Sequence, residues 1–486
     1  MTKIRFVASV DALLKGTDTL LVVGRQSVLK QGERFEPLPD ALKRLCVDLA
    51  SDLAAGDLGA AAGTLTGVSP RKLALGMLPD KVSRHNSASN ALAIAQVVAQ
   101  SQTGRKGEAA ILLYLEDAAH YPAAAGAIAR CLPLYSQRSG KTPPASLKIL
   151  ALDSAGQPVR ADKVTQTRLE MVREMARLVD MPPAELHPAA LQKEAYGLLR
   201  GVEGVTKTAI VGDKLLEAGL GGIHAVGRCA PEAPRLIVLQ YKPRGARGPH
   251  VALVGKGITY DTGGLSLKVG GTMVGMKSDM GGVAAVLGAF LELVKTGVKR
   301  RVSAVLCIAE NSIGPDAFRN DDILTMHSGK TVEINNTDAE GRLLLGDGVS
   351  YAARKLGAEV ILDAATLTGA QLVATGKAHA AIVSNQELLE SQLIQSGLLS
   401  GDLVHPLPFA PELYHKEFSS QVADMRNSVA DRANAQSSCA AQFVYNHIED
   451  REVTWGHIDL AGPAKPAGRA TGFGVGLIAE LVRALA

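Results

Sequence analysis

The chain has 486 residues, 47% apolar and 21% charged, with a formal charge of +4. That length exceeds one ordinary domain, so two are expected, and the composition is that of a globular protein with a large core. A charge this small, spread over the whole length, does not argue for nucleic acid, and no apolar run approaches the roughly 18 residues a membrane helix needs. The apolar stretch after Lys3 and Arg5 is too short for a signal peptide. Five cysteines (Cys46, Cys131, Cys229, Cys307 and Cys439) lie far apart with no CxxC pair. They fit a reducing compartment, each thiol acting as a small buried apolar group, and a cytoplasmic location is expected.

Short apolar runs alternate with longer helical patterns along the chain. This predicts an α/β fold of two domains, each a central, mostly parallel or mixed sheet flanked by helices. In the first third, residues 20–23, 110–115 and 147–152 read as buried strands, and 88–102 and 123–137 as helices. No catalytic constellation occurs there, so residues 1–162 are assigned to an accessory N-terminal domain. Residues 163–183 follow as a connecting helix. Val164, Met171, Val172, Met175, Leu178 and Val179 recur at helical spacing, and Met181-Pro182-Pro183 ends the pattern. An ordinary surface helix of one continuous domain is the alternative.

Residues 184–486 carry a second α/β pattern, with strands expected at 236–241, 251–255, 302–308 and 360–363 and helices at 281–294 and 343–356. The basic run Lys299-Arg300-Arg301 reads as a solvated turn, and the polar stretch 427–438 as an ordered loop.

Two stretches concentrate charge in this second half. In Asn336-Thr337-Asp338-Ala339-Glu340-Gly341-Arg342, Asp338 and Glu340 are two residues apart. An extended segment would project both to one side, where they would repel unless a cation lies between them. Gly341 permits a close approach, and Arg342 adds permanent positive charge. Alone, the stretch reads equally well as a capped helix start, with Thr337 or Asp338 as the N-cap. Upstream, Lys256, Asp261 and Lys268 lie among glycines after the strand at 251–255, in what reads as a tight loop, and Asp279 follows at the next helix start. Four carboxylates, two lysines and one arginine suit a pair of divalent metals flanked by fixed positive charge, the equipment of a metal-assisted hydrolase. Gly255-Lys256 lacks the rest of a phosphate-binding loop, Gly255-x-Gly257 lacks the third glycine of a dinucleotide fingerprint, and neither HExxH nor GxSxG occurs.

These segments resemble the catalytic domain of the leucyl aminopeptidase family, the M17-type cytosol aminopeptidases. The resemblance rests on Val254-Gly-Lys-Gly, Asp261-x-Gly-Gly, Met276-Lys-Ser-Asp279-Met and the heptapeptide. It continues through Ala365-Thr-Leu-Thr-Gly-Ala370, Ala423-Asp-Met425 and Ala470-Thr-Gly-Phe-Gly474, so that it spans residues 165–486. His405-Pro406 and the stretch from Asn427 to Asp431 are similar to an aminopeptidase-like subgroup.

The resemblance implies a metallo-aminopeptidase that removes N-terminal residues from peptides with a free amine, assembled as a homohexamer. Lys256, Asp261, Asp279, Asp338 and Glu340 would hold two divalent ions, with Asp261 and Glu340 bridging. Mn2+ or Zn2+ is expected, with Mg2+ and Co2+ as further candidates. Lys268 would act as electrophile, and Arg342 would hold a bicarbonate as proton shuttle. Met276, Asn336, Thr366, Leu367 and Gly369 would line the side-chain pocket, plain core packing being the alternative for Met276. The rival classes are a DNA-binding regulator that keeps the fold and a scaffold without catalysis; membrane and nucleic-acid partners are not expected. One departure stands out: Gly346 and Gly348 occupy positions where alanine is usual, each costing a helix interior about 1 kcal/mol relative to Ala.

Overall fold

A computed structural model describes residues 2–140 and 145–485. The chain divides into two compact units, one of residues 1–173 with 397–401 and the other of 174–396 with 402–486. The division falls inside the helix Lys163–Asp180, which buries Met171, Val172, Met175 and Leu178 and stops ahead of Pro182.

The first unit holds a seven-stranded sheet. Its buried centre is formed by Ala145–Leu152, Gly107–Tyr114 and Thr19–Arg25, all parallel, on which the expected strands fall. Among the described residues, only Ala60–Leu65 and the two-residue Pro158–Val159 pair antiparallel in this sheet. The helix expected at 123–137 is Tyr121–Arg130 and is shorter at its C-terminal end. Pro133 accounts for this, since its ring and missing N–H preclude a further helical turn.

The second unit is built on eight strands in the order Val404–Pro406, Ala380–Ser384, Thr454–Asp459, Val360–Ala365, Val251–Asp261, Val302–Asn311, Arg235–Tyr241 and Val205–Val211. The four from Thr454–Asp459 to Val302–Asn311 are mutually parallel, and antiparallel strands flank them. Side chains alternate across a strand, so Val254 and Gly255 face opposite sides. Gly255 meets Val283 of the helix Gly281–Thr296, and Val254 meets Gly348 of the helix Gly341–Arg354. The two helices therefore cover opposite faces of the central strand.

That packing corrects the reading of 251–255 as a strand followed by a glycine loop. The strand runs on to Asp261, paired with Val302–Asn311 through an irregularity between Ile258 and Asp261. Gly255 and Gly257 serve contact, not turning: a Cβ on Gly255 would stand 2.8 Å from Val283 Cα, and one on Gly257 2.7 Å from Val283 Cγ2. Gly346 and Gly348 have the same cause. A Cβ on Gly346 would stand 2.6 Å from His447 Cδ2, and one on Gly348 2.5 Å from Cys307 Sγ and 2.6 Å from Val254 Cγ1. Gly348→Ala is therefore expected to lower stability, because overpacking of about 1–3 kcal/mol exceeds the gain in helix propensity. A urea denaturation curve reads this out; a higher midpoint would show that the helix can move away without loss.

Other expectations change in detail. Arg300 of the basic run is buried and donates to the Leu485 carbonyl, so that only its neighbours are solvated. The stretch 427–438 is ordered, but from Gln436 it belongs to the helix Gln436–Tyr445. Cys46, Cys307 and Cys439 are buried as expected, while Cys131 and Cys229 are only partly so.

Candidate metal centre and active site

The four parallel strands deliver their carboxyl ends to one region, where the loops of an open α/β sheet leave a crevice. Asp261 and Asn311 are the last residues of their strands and pair across the ladder. Thr366 follows Val360–Ala365, and Asp459 ends Thr454–Asp459.

The heptapeptide meets them as a turn, not as the extended segment expected. The Ala339 N–H donates to the Asn336 carbonyl at 3.2 Å, and Glu340 has helical dihedrals at the head of Gly341–Arg354. Asp338 and Glu340 thus converge through a turn. Neither Thr337 nor Asp338 caps the helix, because Glu340 holds the cap position. The Thr337 hydroxyl instead donates to the Gly263 carbonyl and accepts from the Ser266 N–H, both at 2.7 Å, tying the heptapeptide to the loop after Asp261. Asn427 clamps the other side: its Oδ1 accepts from the N–H groups of Asn335 and Asn336, and its Nδ2 donates to the carbonyls of Asn336 and Ala339.

The charged groups interlock. Lys256 Nζ lies 2.8 Å from Asp279 Oδ2 and 2.9 Å from Glu340 Oε1, and donates to the Thr366 carbonyl at 3.1 Å. Its stem passes Gly341, where a Cβ would stand 2.5 Å from Lys256 Cε. Lys268 Nζ lies 3.0 Å from Asp261 Oδ2 and 2.5 Å from Asp338 Oδ1. Burial disfavours both ammonium groups, but Asp279 and Glu340 around Lys256, and Asp261 and Asp338 around Lys268, outweigh it and raise both pKa values above the usual lysine range. Burial pushes Glu340 up to about 8, Asp261 adding to the effect, and pushes Asp279 up to about 6 against the pull of Lys256. Burial draws Arg342 down to about 10, which leaves its guanidinium charged at neutral pH.

These residues fit a metal centre. Asp261, Asp338 and Glu340 each offer an oxygen within 4.8 Å of the others. Glu340 Oε2 is buried without a hydrogen-bond partner. Four carboxylates face only two ammonium groups, and an orphaned carboxylate oxygen in such a site calls for a cation. The carboxylates are also aimed. Asp261 Oδ1 accepts from the Gly263 N–H and from Asn311 Nδ2, both at 2.8 Å, which turns Oδ2 toward the cluster. Asp279 Oδ1 accepts from the Thr366 hydroxyl at 2.7 Å.

All of the residues singled out from sequence line one cavity of about 320 Å³. Met276, half-buried, stands in its wall beside Asn336, Thr366, Leu367 and Gly369 rather than in the closed core. Sequence reasoning missed Asn311 and Asp459. The Asp459 carboxylate accepts from the N–H groups of Leu367 and Thr368 at 3.0 and 3.1 Å and from the Thr368 hydroxyl at 2.6 Å, so it fixes the loop beneath the pocket. The available signal was position: each is a polar residue at the carboxyl end of a largely apolar strand.

A carboxylate and lysine cluster of this kind at the strand ends of an α/β sheet is that of a metallohydrolase. Comparison with known proteins makes the class specific. The profile of the cytosol aminopeptidase family, catalytic domain, matches residues 173–479, and that of the M17 aminopeptidase N-terminal domain 2 matches residues 18–141. The chain is 46% identical over 412 residues to the mouse (Mus musculus) protein called probable aminopeptidase NPEPL1, covering 83% of this chain and 78% of that one. The solved leucine aminopeptidase of Caenorhabditis elegans superposes with a TM-score of 0.90 at 36% identity, covering 99% of this chain and 98% of that one. The leucyl aminopeptidase of Trypanosoma brucei, solved in complex with bestatin, gives 0.91 at 34% identity, covering 99% and 95%. The chain belongs to the cytosol aminopeptidase (M17) family. It is a metal-dependent aminopeptidase, a hydrolase acting on peptides, as the resemblance implied, and its two-unit α/β fold is the one expected.

Proposed function

We propose that this aminopeptidase reads the free α-amine of its substrate at a centre where Lys256, Asp261, Asp279, Asp338 and Glu340 would hold two divalent ions. The convergence of Asp261, Asp338 and Glu340 around a partnerless buried Glu340 oxygen carries this reading. When bound, the ions supply Lewis acidity, polarising the scissile carbonyl and lowering the pKa of water. Oxygen-rich ligands accommodate Mn2+ or Zn2+, with Mg2+ and Co2+ as further candidates. Lys256 serves as a ligand in its neutral form, which an adjacent dication favours.

Lys268 presents its ammonium to the carbonyl oxygen of the scissile bond as negative charge develops there. Arg342 is no base, since a guanidinium keeps its proton. Its Nη1 donates to the Asn427 carbonyl at 2.9 Å, while its Nε is buried without a partner; the guanidinium would hold a bicarbonate, which would supply a proton shuttle. Met276, Asn336, Thr366, Leu367 and Gly369 receive the side chain of the N-terminal residue. Residues 1–162 form the accessory domain, joined through 163–183 to the catalytic domain 184–486. Assembly as a homohexamer rests on the family resemblance. A cytoplasmic location rests on that resemblance and on the lack of any helix, among the described residues, long and apolar enough to cross a membrane.

The test compares Leu-amide substrates with and without an N-acetyl group at matched metal loading. Acetylation removes the basic lone pair and adds bulk where the amine sits, so the blocked substrate should turn over at least ~100-fold more slowly, the scale on which misplaced reacting groups are felt. Comparable turnover of both would replace the exopeptidase reading with that of a general amidase.

A further inference from the structure

The cavity is lined by two unlike sets of side chains. One is apolar, with Met276, Leu367 and Leu372. The other comes from the loop running from Asn427 to the start of the helix Gln436–Tyr445, which contributes Ser428, Arg432 and Gln436. Every other cation of the cavity is engaged: Lys256 and Lys268 face carboxylates, and Arg342 is tied to the Asn427 carbonyl. Arg432 differs. Among the described residues its guanidinium has neither an ion pair nor a hydrogen bond, and the Ser428 hydroxyl and Gln436 amide have no side-chain partner either.

The loop that presents these donors is firmly held, although Arg432 itself is exposed. Glu417, only 7% exposed, accepts from the Asp431 N–H at 3.0 Å, from Asn434 Nδ2 at 2.8 Å and, through its carbonyl, from the Ala430 N–H at 3.1 Å. Ser428 is pinned through its main chain, its N–H donating to Asn335 Oδ1 at 2.9 Å and its carbonyl accepting from Asn335 Nδ2 at 3.2 Å. A rigid loop placing three unpaired donors, one of them a planar cation, on the wall of a reaction cavity is built to receive an anion. Guanidinium matches carboxylate geometry with two parallel hydrogen bonds.

We propose that Arg432, assisted by Ser428 and Gln436, is a specificity determinant that binds a carboxylate on the leaving portion of the substrate, so that the enzyme favours short peptides with a free C-terminus or an acidic residue after the cleaved bond. The proposal rests on the aminopeptidase reading of the same cavity. That reading assigns the α-amine to the metal side and the N-terminal side chain to the apolar residues, which leaves the polar donors for the departing segment.

The test measures release of the N-terminal residue by the metal-loaded enzyme from Leu-Gly, Leu-Gly-amide and Leu-Asp-amide, and from Asp-Gly-amide as a control with its acid on the wrong side. In the wild type, kcat/KM for Leu-Gly or Leu-Asp-amide should exceed that for Leu-Gly-amide about tenfold or more, chiefly through KM, as for a charge-assisted hydrogen bond. Which of the two is favoured separates a C-terminal carboxylate from an acidic side chain. In Arg432→Gln that ratio should fall to about one. Equal use of the three Leu substrates by the wild type, an unchanged ratio in Arg432→Gln, or a preference confined to Asp-Gly-amide would overturn the assignment while leaving the aminopeptidase reading intact. Failure to cleave any of them would overturn both.

Discussion

Exhaustive chelation should abolish hydrolysis of an unblocked Leu-amide substrate, and added Mn2+ should restore it. The expected loss is complete because the ions would supply both the Lewis acid and the activated water of the proposed mechanism. Recovery is expected because the site need not collapse without ions. Lys256 reaches both Asp279 and Glu340, and Lys268 both Asp261 and Asp338, so two ammonium groups hold the four carboxylates together. Metal content by elemental analysis and activity should fall and return together. Full activity in a sample verified to be metal-free would sink the proposed mechanism.

Lys268→Ala should separate catalysis from metal retention. Lys268 lies at the Asp261 and Asp338 side of the centre, partly open to the cavity, while Lys256 is sealed beneath Gly341. If its ammonium acts on the developing oxyanion, the variant should keep both ions and lose roughly 10²–10³ in kcat, as when other oxyanion donors are removed. Asp338→Asn, which would neutralise a proposed ligand, should lose metal as well as activity. The role would be misassigned if Lys268→Ala lost its ions while turnover per bound ion stayed normal.

The residues of the candidate site were readable because they lie in short contiguous motifs. The heptapeptide names its own carboxylates and arginine, and the segments around Lys256 and Asp279 supply the rest. The α/β class was readable too, since buried parallel strands are continuous apolar runs and their crossover helices carry a different period.

Gly263 and Gly264 do sit in the expected loop, with φ of 85° and 62°, but other glycines were misread, because a glycine has one symbol for two causes. Those near Lys256 suggested a turn, yet Gly255 and Gly257 lie within a strand and admit Val283 of a packed helix. Gly346 and Gly348 looked like weak points of a helix until His447, Cys307 and Val254 were seen against them. Arg300 looked solvated because its burial depends on Leu485, far along the chain.

By itself the sequence determined the inventory of the site, the family and the layered architecture, since each depends on local pattern or on residues adjacent in the chain. Only the tertiary structure decided how the inventory is assembled. Asn311 beside Asp261, Asp459 beneath the Thr366–Gly369 loop, Asn427 around the heptapeptide and Arg432 lining the cavity belong to no recognisable motif. Their neighbours are set by sheet register and by how closely the helices approach, and these interactions join residues about 50 to more than 90 positions apart, beyond the reach of any sequence period.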